Sequence, residues 1–396
     1  LLACAALILA PVLSNAAAPP AARLPRETPP PPAPEVSREF RGAWLVTVNN
    51  IDWPSRPGLP VAQQQAELRK VFEVAQQLRL NAVLFQVRPC ADAFYPSEIE
   101  PWSEYLSGRM GVRPNPAWDP LETAIQEAHA RGIELHAWFN PYRARFRTGF
   151  GPAARNHVTA RAPQLVRQAG PHFWMDPGES DVREQTIRVI LDVVRRYDID
   201  GVHLDDYFYP YPEGMIPGYF ADDRSWGRYV RAGGRLNRGD WRRNNVDVLV
   251  EHLGGAIHRE KAWVKFGISP FGIWRPGFPP SVRGLNAFEV LHADSRRWYQ
   301  EGWVDYLSPQ LYWPIRSREQ SFPELLRWWA QQNSAKRELW PGLDATRIGQ
   351  DRNAGEILSQ VRLVRGEKQS RGVVLYNFSA LASNKGGVAG MLDRKS

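Results

Sequence analysis

Residues 201–207 read GVHLDDY, and this short run decides the fold. Val202 and Leu204 alternate with His203 and Asp205, the two-residue period of a strand whose sides face different surroundings. In a barrel strand one side meets the helices and the other the interior, so His203 and Asp205 point inward and Asp206 sits where the loop begins. Seven further strand-like runs lie at residues 41–48 (RGAWLVTV), 81–88 (NAVLFQVR), 133–140 (IELHAWFN), 264–271 (VKFGISPF), 304–312 (VDYLSPQLY), 339–344 (LWPGLD) and 372–378 (GVVLYNF). Helical patterns separate them. Residues 61–78 place Leu68, Val71, Phe72 and Ala75 on one face. Residues 182–197 do the same with Ile187, Ile190, Leu191 and Val194, with Asp181 as the expected N-cap. Weaker helices fit 121–130, 246–259, 295–301, 323–332 and 354–364. Eight strands alternating with helices predict a (β/α)8 TIM barrel. A doubly wound open sheet competes, but no glycine-rich phosphate loop follows the first strand. The surplus length falls in residues 89–118, 141–181 and 208–240, enlarged βα loops at the face where barrel enzymes build their sites.

The same parity turns Gln86 and Arg88 inward on the second strand, and His136, Trp138 and Asn140 on the third. It selects Lys265 and Ser269 on the fifth, Ser308, Gln310 and Tyr312 on the sixth, Asp344 on the seventh and Asn377 on the eighth. Polar side chains late in each strand converge on one end of the barrel, where an unpaired buried polar group is costly and a structural core would avoid it. Asp205-Asp206 is the sharpest of these signals. Like charges at close range push pKa values apart, and glycosidic cleavage needs one carboxylate as nucleophile or stabiliser and one carboxylic acid. The bland reading, an Asp capping the next helix, suits a lone Asp better than a pair flanked by His203, Tyr207 and Tyr209. Asp206 and Asp344 are the candidate acids, followed by Asp92. His203, Asp205 and Asp206 are too few for a closed metal site, and no cofactor is expected. No serine nucleophile elbow is present.

The chain has 396 residues, 43% of them hydrophobic and 23% charged, which excludes a disordered chain or a multi-pass membrane protein. Its 16 Trp exceed what a packed core requires and suit stacking on sugar rings. Trp138, Tyr142, Tyr207, Tyr312 and Trp313 lie at strand ends, where such platforms are needed, while Trp328 and Trp329 fall in a helix and read as packing. The net charge of +8 is concentrated in no basic run or nucleic-acid motif, which argues against nucleic acid and leaves two readings open, an anionic envelope polymer as the matching partner or simply a basic soluble surface. Residues 1–13 are apolar and uncharged, the length of an export-signal core and too short to span a bilayer. Two readings of residues 1–18 stay open: a signal cleaved near Ala16, or a lipoprotein signal with Cys4 acylated as a membrane attachment. Residues 19–37 then form a proline-rich tether, and 38–396 the barrel. Cys90 is left without a disulfide partner.

Several blocks resemble those of the bacterial glycosyl-hydrolase-like family 10. They are RGAWLVTVNNIDWP at 41–54, ELHAWFNPYR at 134–143, DIDGVHLDDYFYPYP at 198–212, GISPFGIWR at 267–275 and ADSRRWYQEGWVDYLSPQLYW at 293–313. The resemblance spans residues 39–378 and implies the same (β/α)8 fold in an exported or lipid-anchored protein of the periplasm or outer membrane. It also implies cleavage of peptidoglycan glycan strands free of peptide, as by a divisome-associated glycosidase. Carried across, it marks Asp205 and Asp206 as catalytic, Pro309, Gln310, Tyr312 and Trp313 as one block, and Arg88 and Asn140 as cleft residues. Cys90-Ala91-Asp92 departs from the Ala-Gly-Asp of relatives. The candidate set is therefore Asp205, Asp206 and Asp344 for catalysis. Arg88, Trp138, Asn140, Tyr142, His203, Tyr207, Gln310, Tyr312, Trp313 and Asn377 are the candidates for the glycan. Cleavage of an exopolysaccharide and non-catalytic glycan binding are the alternatives.

Overall fold

The computed structural model describes residues 39–213, 215–216 and 218–395. The expected export signal, proline-rich tether and Cys4 lie outside the described residues. Within them, the expected strands form a parallel sheet of β1 (Phe40–Leu45), β2 (Ala82–Arg88) and β3 (Glu134–Phe139), followed by β7 (Gly201–Leu204), β8 (Lys265–Ile268) and β9 (Tyr306–Leu307). The seventh run is split into β10 (Glu338–Leu339) and β11 (Gly342–Asp344), and β12 (Gly372–Tyr376) is the eighth. The split has a local cause. Pro341 has no N–H to give, so the ladder breaks there. Hydrogen bonds nevertheless continue on both sides: Trp340 N donates to Leu307 O at 2.9 Å and Gly342 N to Pro309 O at 2.9 Å, while Val374 N donates to Pro341 O at 3.1 Å. With β12 paired to both β11 and β1, the sheet closes into an eight-stranded barrel.

Observed strands are shorter than the apolar runs that announced them. Pro270 and Pro309 end the fifth and sixth early, leaving only single bridges at Phe271, Gln310 and Gly342 beyond them. The helices Val61–Gln77, Ser180–Arg196 and Ala354–Gly366 match their patterns closely. Glu179, not Asp181, occupies the cap position of the second, and Asp181 lies in its first turn, where its charge favours the helix dipole. Arg238–Glu260 begins eight residues before the expected 246. Its first two turns hold a single apolar residue, Trp241, and so show no apolar stripe, and the Asn237 side chain caps them by accepting from Asp240 N at 2.9 Å. The third βα segment, expected to be loop, holds a small antiparallel sheet of β4 (Arg143–Phe146), β5 (Val166–Ala169) and β6 (His172–Met175).

The barrel interior is aromatic and hydrogen-bonded rather than aliphatic. Phe40 and Trp340 stack at 3.7 Å, and Tyr306 lies 4.4 Å from Trp340 and 5.8 Å from the His203 ring. Burial, with His136 nearby, pushes His203 well below the usual histidine range, so its imidazole is neutral. The Trp44 indole can only donate, and it does so to His203 Nε2 at 3.1 Å. His203 must then carry its proton on Nδ1 and donate to the Tyr306 hydroxyl at 3.0 Å, and that hydroxyl donates onward to His136 Nδ1 at 2.9 Å. His136 Nε2 ends the chain on Glu134 at 3.1 Å. One tryptophan thus orients a row of hydrogen bonds down the barrel.

These rings fit because glycines face them. A Cβ on Gly267 would lie 2.0 Å from the Tyr306 ring and one on Gly201 2.5 Å from His136 Nδ1. Gly267→Ala should therefore lose about 1–3 kcal/mol of stability in urea unfolding, as overpacked cores do. Gly366→Ala, whose Cβ meets nothing within 4 Å at the end of a helix, should be neutral or gain up to about 1 kcal/mol. Equal midpoints for Gly267→Ala and wild type would contradict this packing.

Candidate active site

At the C-terminal end of the barrel the interior opens into a cleft of about 360 Å³. Asp205 and Asp206 stand on its floor just after β7, with 3% and 4% of their surfaces exposed. The third strand holds Asp205 from the side: Trp138 Nε1 donates to Oδ2 at 3.1 Å and Asn140 Nδ2 to the same oxygen at 2.8 Å. Tyr207 N donates to Oδ1 at 3.3 Å. Asn140 is itself fixed, its Oδ1 accepting from Arg143 N at 3.0 Å and its carbonyl from Arg88 Nη1 at 2.6 Å. Asp206 accepts from the Tyr211 hydroxyl.

Burial first, and the Asp206 charge second, push the Asp205 carboxyl up to about 7, while Arg143, Trp138 and Tyr207 N–H pull it down. Burial raises Asp206 too, against the pull of Tyr211 and Gln310. Asp205 therefore exchanges its proton near neutrality beside a second buried carboxyl. An acid and a base side by side are what bond cleavage with proton transfer requires. Asp344 also lines the cleft, its Oδ1 accepting from Thr346 N at 2.8 Å and Thr346 Oγ1 at 2.6 Å. Among the described residues, no three His, Cys, Asp or Glu side chains come together in a way that could hold a metal ion.

The walls are aromatic. Trp44, Trp138, Tyr207, Tyr211, Phe271 and Tyr312 line the cleft, and Tyr376 stacks on Tyr312 at 5.7 Å. A wider groove of about 570 Å³ runs beside it, bordered by Arg147, Gln168, Glu213 and Tyr219. The chain passes from cleft to groove twice, from Phe146 to Arg147 and from Tyr211 to Glu213.

With this geometry in place, the sequence can be set beside known proteins. The profile of the family described as Glycosyl hydrolase-like 10 matches residues 39–357. The chain belongs to the glycosyl hydrolase-like 10 family. Glycosyl hydrolase YngK of Bacillus subtilis (strain 168) is 38% identical over 364 residues, covering 89% of this chain and 70% of YngK. Glycosyl hydrolase DigH of Escherichia coli (strain K12) is 35% identical over 344 residues, covering 81% of this chain and 76% of DigH. Two solved structures share the fold alone. The catalytic domain of a β-amylase from Paenibacillus polymyxa superposes with TM-score 0.59 at 11% identity, covering 91% of this chain and 98% of that one. The PgaB (BpsB) glycoside hydrolase domain from Bordetella bronchiseptica gives 0.58 at 12%, covering 91% and 99%.

In this glycosyl hydrolase-like 10 barrel the expected site residues divide sharply. Asp205, Asp206, Asp344, Trp138, Tyr207, Gln310 and Tyr312 meet in the cleft. Arg88 does not line it: it is fully buried in a two-pronged ion pair with Glu100 at 2.7 and 2.6 Å, where it supports Asn140. Asn140 in turn supports Asp205. His203 lies below the cleft in the interior hydrogen-bond row, and Tyr142 is buried behind the wall. Trp313 packs edge-on to Phe271 at 5.5 Å, outside the lining. Asn377 caps the helix Phe378–Ala382, its Oδ1 accepting from Ala380 N at 3.3 Å, and Tyr376 takes the inward place. Asp92 is buried outside the cleft lining, accepting from Cys90 N at 2.9 Å; burial pushes it up to about 7. Tyr211, Arg143, Phe146, Phe271 and Tyr376 line the cleft without having been singled out. Only the aromatic density of residues 207–212 hinted at Tyr211.

A carboxyl raised by burial is a liability to the fold. The folded chain keeps a proton on Asp205 that the unfolded chain releases near its ordinary value, so the contribution of Asp205 to stability falls as pH rises from about 4 toward 7. Asp205→Asn should melt higher than wild type at pH 8, by about 2 °C or more, with the gain vanishing as pH approaches 4. Thermal scans across that range check it; a pH-independent difference would refute the raised carboxyl.

Proposed function

We propose that this chain is a glycoside hydrolase of the cell envelope that cleaves glycosidic bonds in peptidoglycan glycan strands from which the peptides have been removed. The observation that carries the reading is the buried Asp205-Asp206 pair on the floor of an aromatic cleft, with the Asp205 carboxyl pushed up to about 7. Hydrolysis of a glycosidic bond needs a proton for the leaving oxygen and a negative charge facing the oxocarbenium-like centre. Asp205 supplies the charge once it has released its proton, as it does from about pH 7 upward. Its three donors favour the ionised form, and the positive charge that develops on the sugar favours it further. Asp206 or Asp344 supplies the proton and, after departure of the leaving group, assists water. Tyr207, Tyr312 and Trp138 offer ring faces and edges to the sugar, and the adjoining groove supports the continuing polymer. Membership of the family and the relatives named glycosyl hydrolases support the reaction class. The reading takes residues 1–18 as an export signal, with or without lipid at Cys4, which puts the enzyme beside its polymer.

Asp205→Asn should lower the rate of release of soluble products from purified peptide-free glycan by about 10²- to 10⁴-fold, with the circular dichroism spectrum unchanged. Product masses from a panel of glycans identify the bond cut. Digestion of the glycan by the variant at the wild-type rate would sink the assignment.

A further inference from the structure

The buried arginines of this barrel follow one rule with one exception. Arg88, Arg145, Arg242, Arg243 and Arg352 each hold a carboxylate at 2.6–2.8 Å. Arg143 is 4% exposed and has no carboxylate within ion-pair distance among the described residues. Its Nε donates to Pro89 O at 3.1 Å, and Nη1 and Nη2 have no hydrogen-bond partner among the described residues. The guanidinium lies 4.8 Å from the Tyr207 ring centroid and 5.6 Å from that of Phe146. Ring faces satisfy part of its charge but leave the in-plane N–H donors unused. Withdrawing a cation from water is costly unless something repays it. Arg143 is also the only permanently positive group among the described residues lining the cleft, where Asp205, Asp206 and Asp344 would repel an anion.

We propose that Arg143 is the specificity-determining residue of the cleft: its free Nη donors receive a carboxylate carried by the substrate, namely the lactyl carboxylate of a muramyl residue. The proposal rests on the glycosidase reading above. In intact wall that carboxyl is tied up as an amide to the peptide; removal of the peptide frees it as an anion, so a guanidinium fork selects stripped strands by charge. A uronic acid offers the same group from a different position on the ring.

The test pairs two substrates with two proteins. Peptide-free glycan is used with its lactyl carboxylates free or capped as methylamides by carbodiimide coupling, and each is given to wild type and to Arg143→Gln. Wild type should lose about ten- to a hundredfold in kcat/KM on capping. Arg143→Gln should lose as much on the free carboxylate and then treat both substrates alike. Unchanged wild-type rates on capping overturn the proposal, and this arm decides even where Arg143→Gln does not fold. Equal slowing of both substrates by Arg143→Gln also overturns it and makes Arg143 a positioning residue for Asp205. A binding arm is independent of turnover: Asp205→Asn titrated with the two glycans should prefer the free carboxylate, and addition of Arg143→Gln should erase the preference. Equal affinities overturn the proposal. A kept preference without wild-type cleavage supports it while rejecting the glycosidase reading. An oligouronate that competes as well as the muramyl strand overturns the lactyl assignment.

Discussion

Everything at the active end depends on keeping Asp205 out of water without letting it move. Burial alone would make the carboxyl a permanent acid, and three donors and a nearby guanidinium draw it back to a value where it can work near neutral pH. Those donors are themselves anchored. Asn140 reaches Asp205, Arg88 holds the Asn140 carbonyl, and Glu100 holds Arg88 on both oxygens. Burial would raise Glu100, but the guanidinium beside it keeps that carboxyl below its ordinary range, so the anchor stays charged. A side chain expected to touch substrate turns out to hold the residue that holds Asp205.

The barrel below gives this arrangement a rigid base. A hydrogen-bond row from Trp44 through His203 and Tyr306 to His136 has a direction imposed by the indole, so the rings cannot exchange roles freely. Inward glycines let the rings approach the opposing strands. The floor of the cleft thus lies at the strand ends, and the segments that follow the strands supply its walls: Tyr207 and Tyr211 after β7, Arg143 and Phe146 on the small sheet. This division, rigid chemistry on strands and adaptable recognition on loops, is the common solution of (β/α)8 enzymes.

The sequence disclosed the barrel and half of the cleft for one reason: alternation. Where a strand mixes apolar and polar residues, as at residues 201–207, parity identifies the inward side chains and Asp205 follows. Residues 372–378 are almost uniformly apolar, so nothing marks their parity, and Asn377 was expected where Tyr376 stands. Arg88 satisfies the inward pattern, but its partner Glu100 lies twelve residues on in a loop, and no local signal joins them. The small sheet was hidden because its strands are four residues long, too short for any alternation to stand out. Arg143 went unnoticed because one arginine among 50 basic residues looks like any other until its lack of a carboxylate is seen in space.

A crystal structure of Asp205→Asn with a peptide-free glycan oligosaccharide bound would show whether the Asp205-Asp206 cleft is where the glycosidic bond is cut. A sugar ring is expected in the cleft between Tyr207 and Tyr312, with a glycosidic oxygen within about 3 Å of the Asp206 or Asp344 carboxyl. An oligosaccharide bound only in the outer groove, with no glycosidic bond near any of these carboxyls, would contradict it.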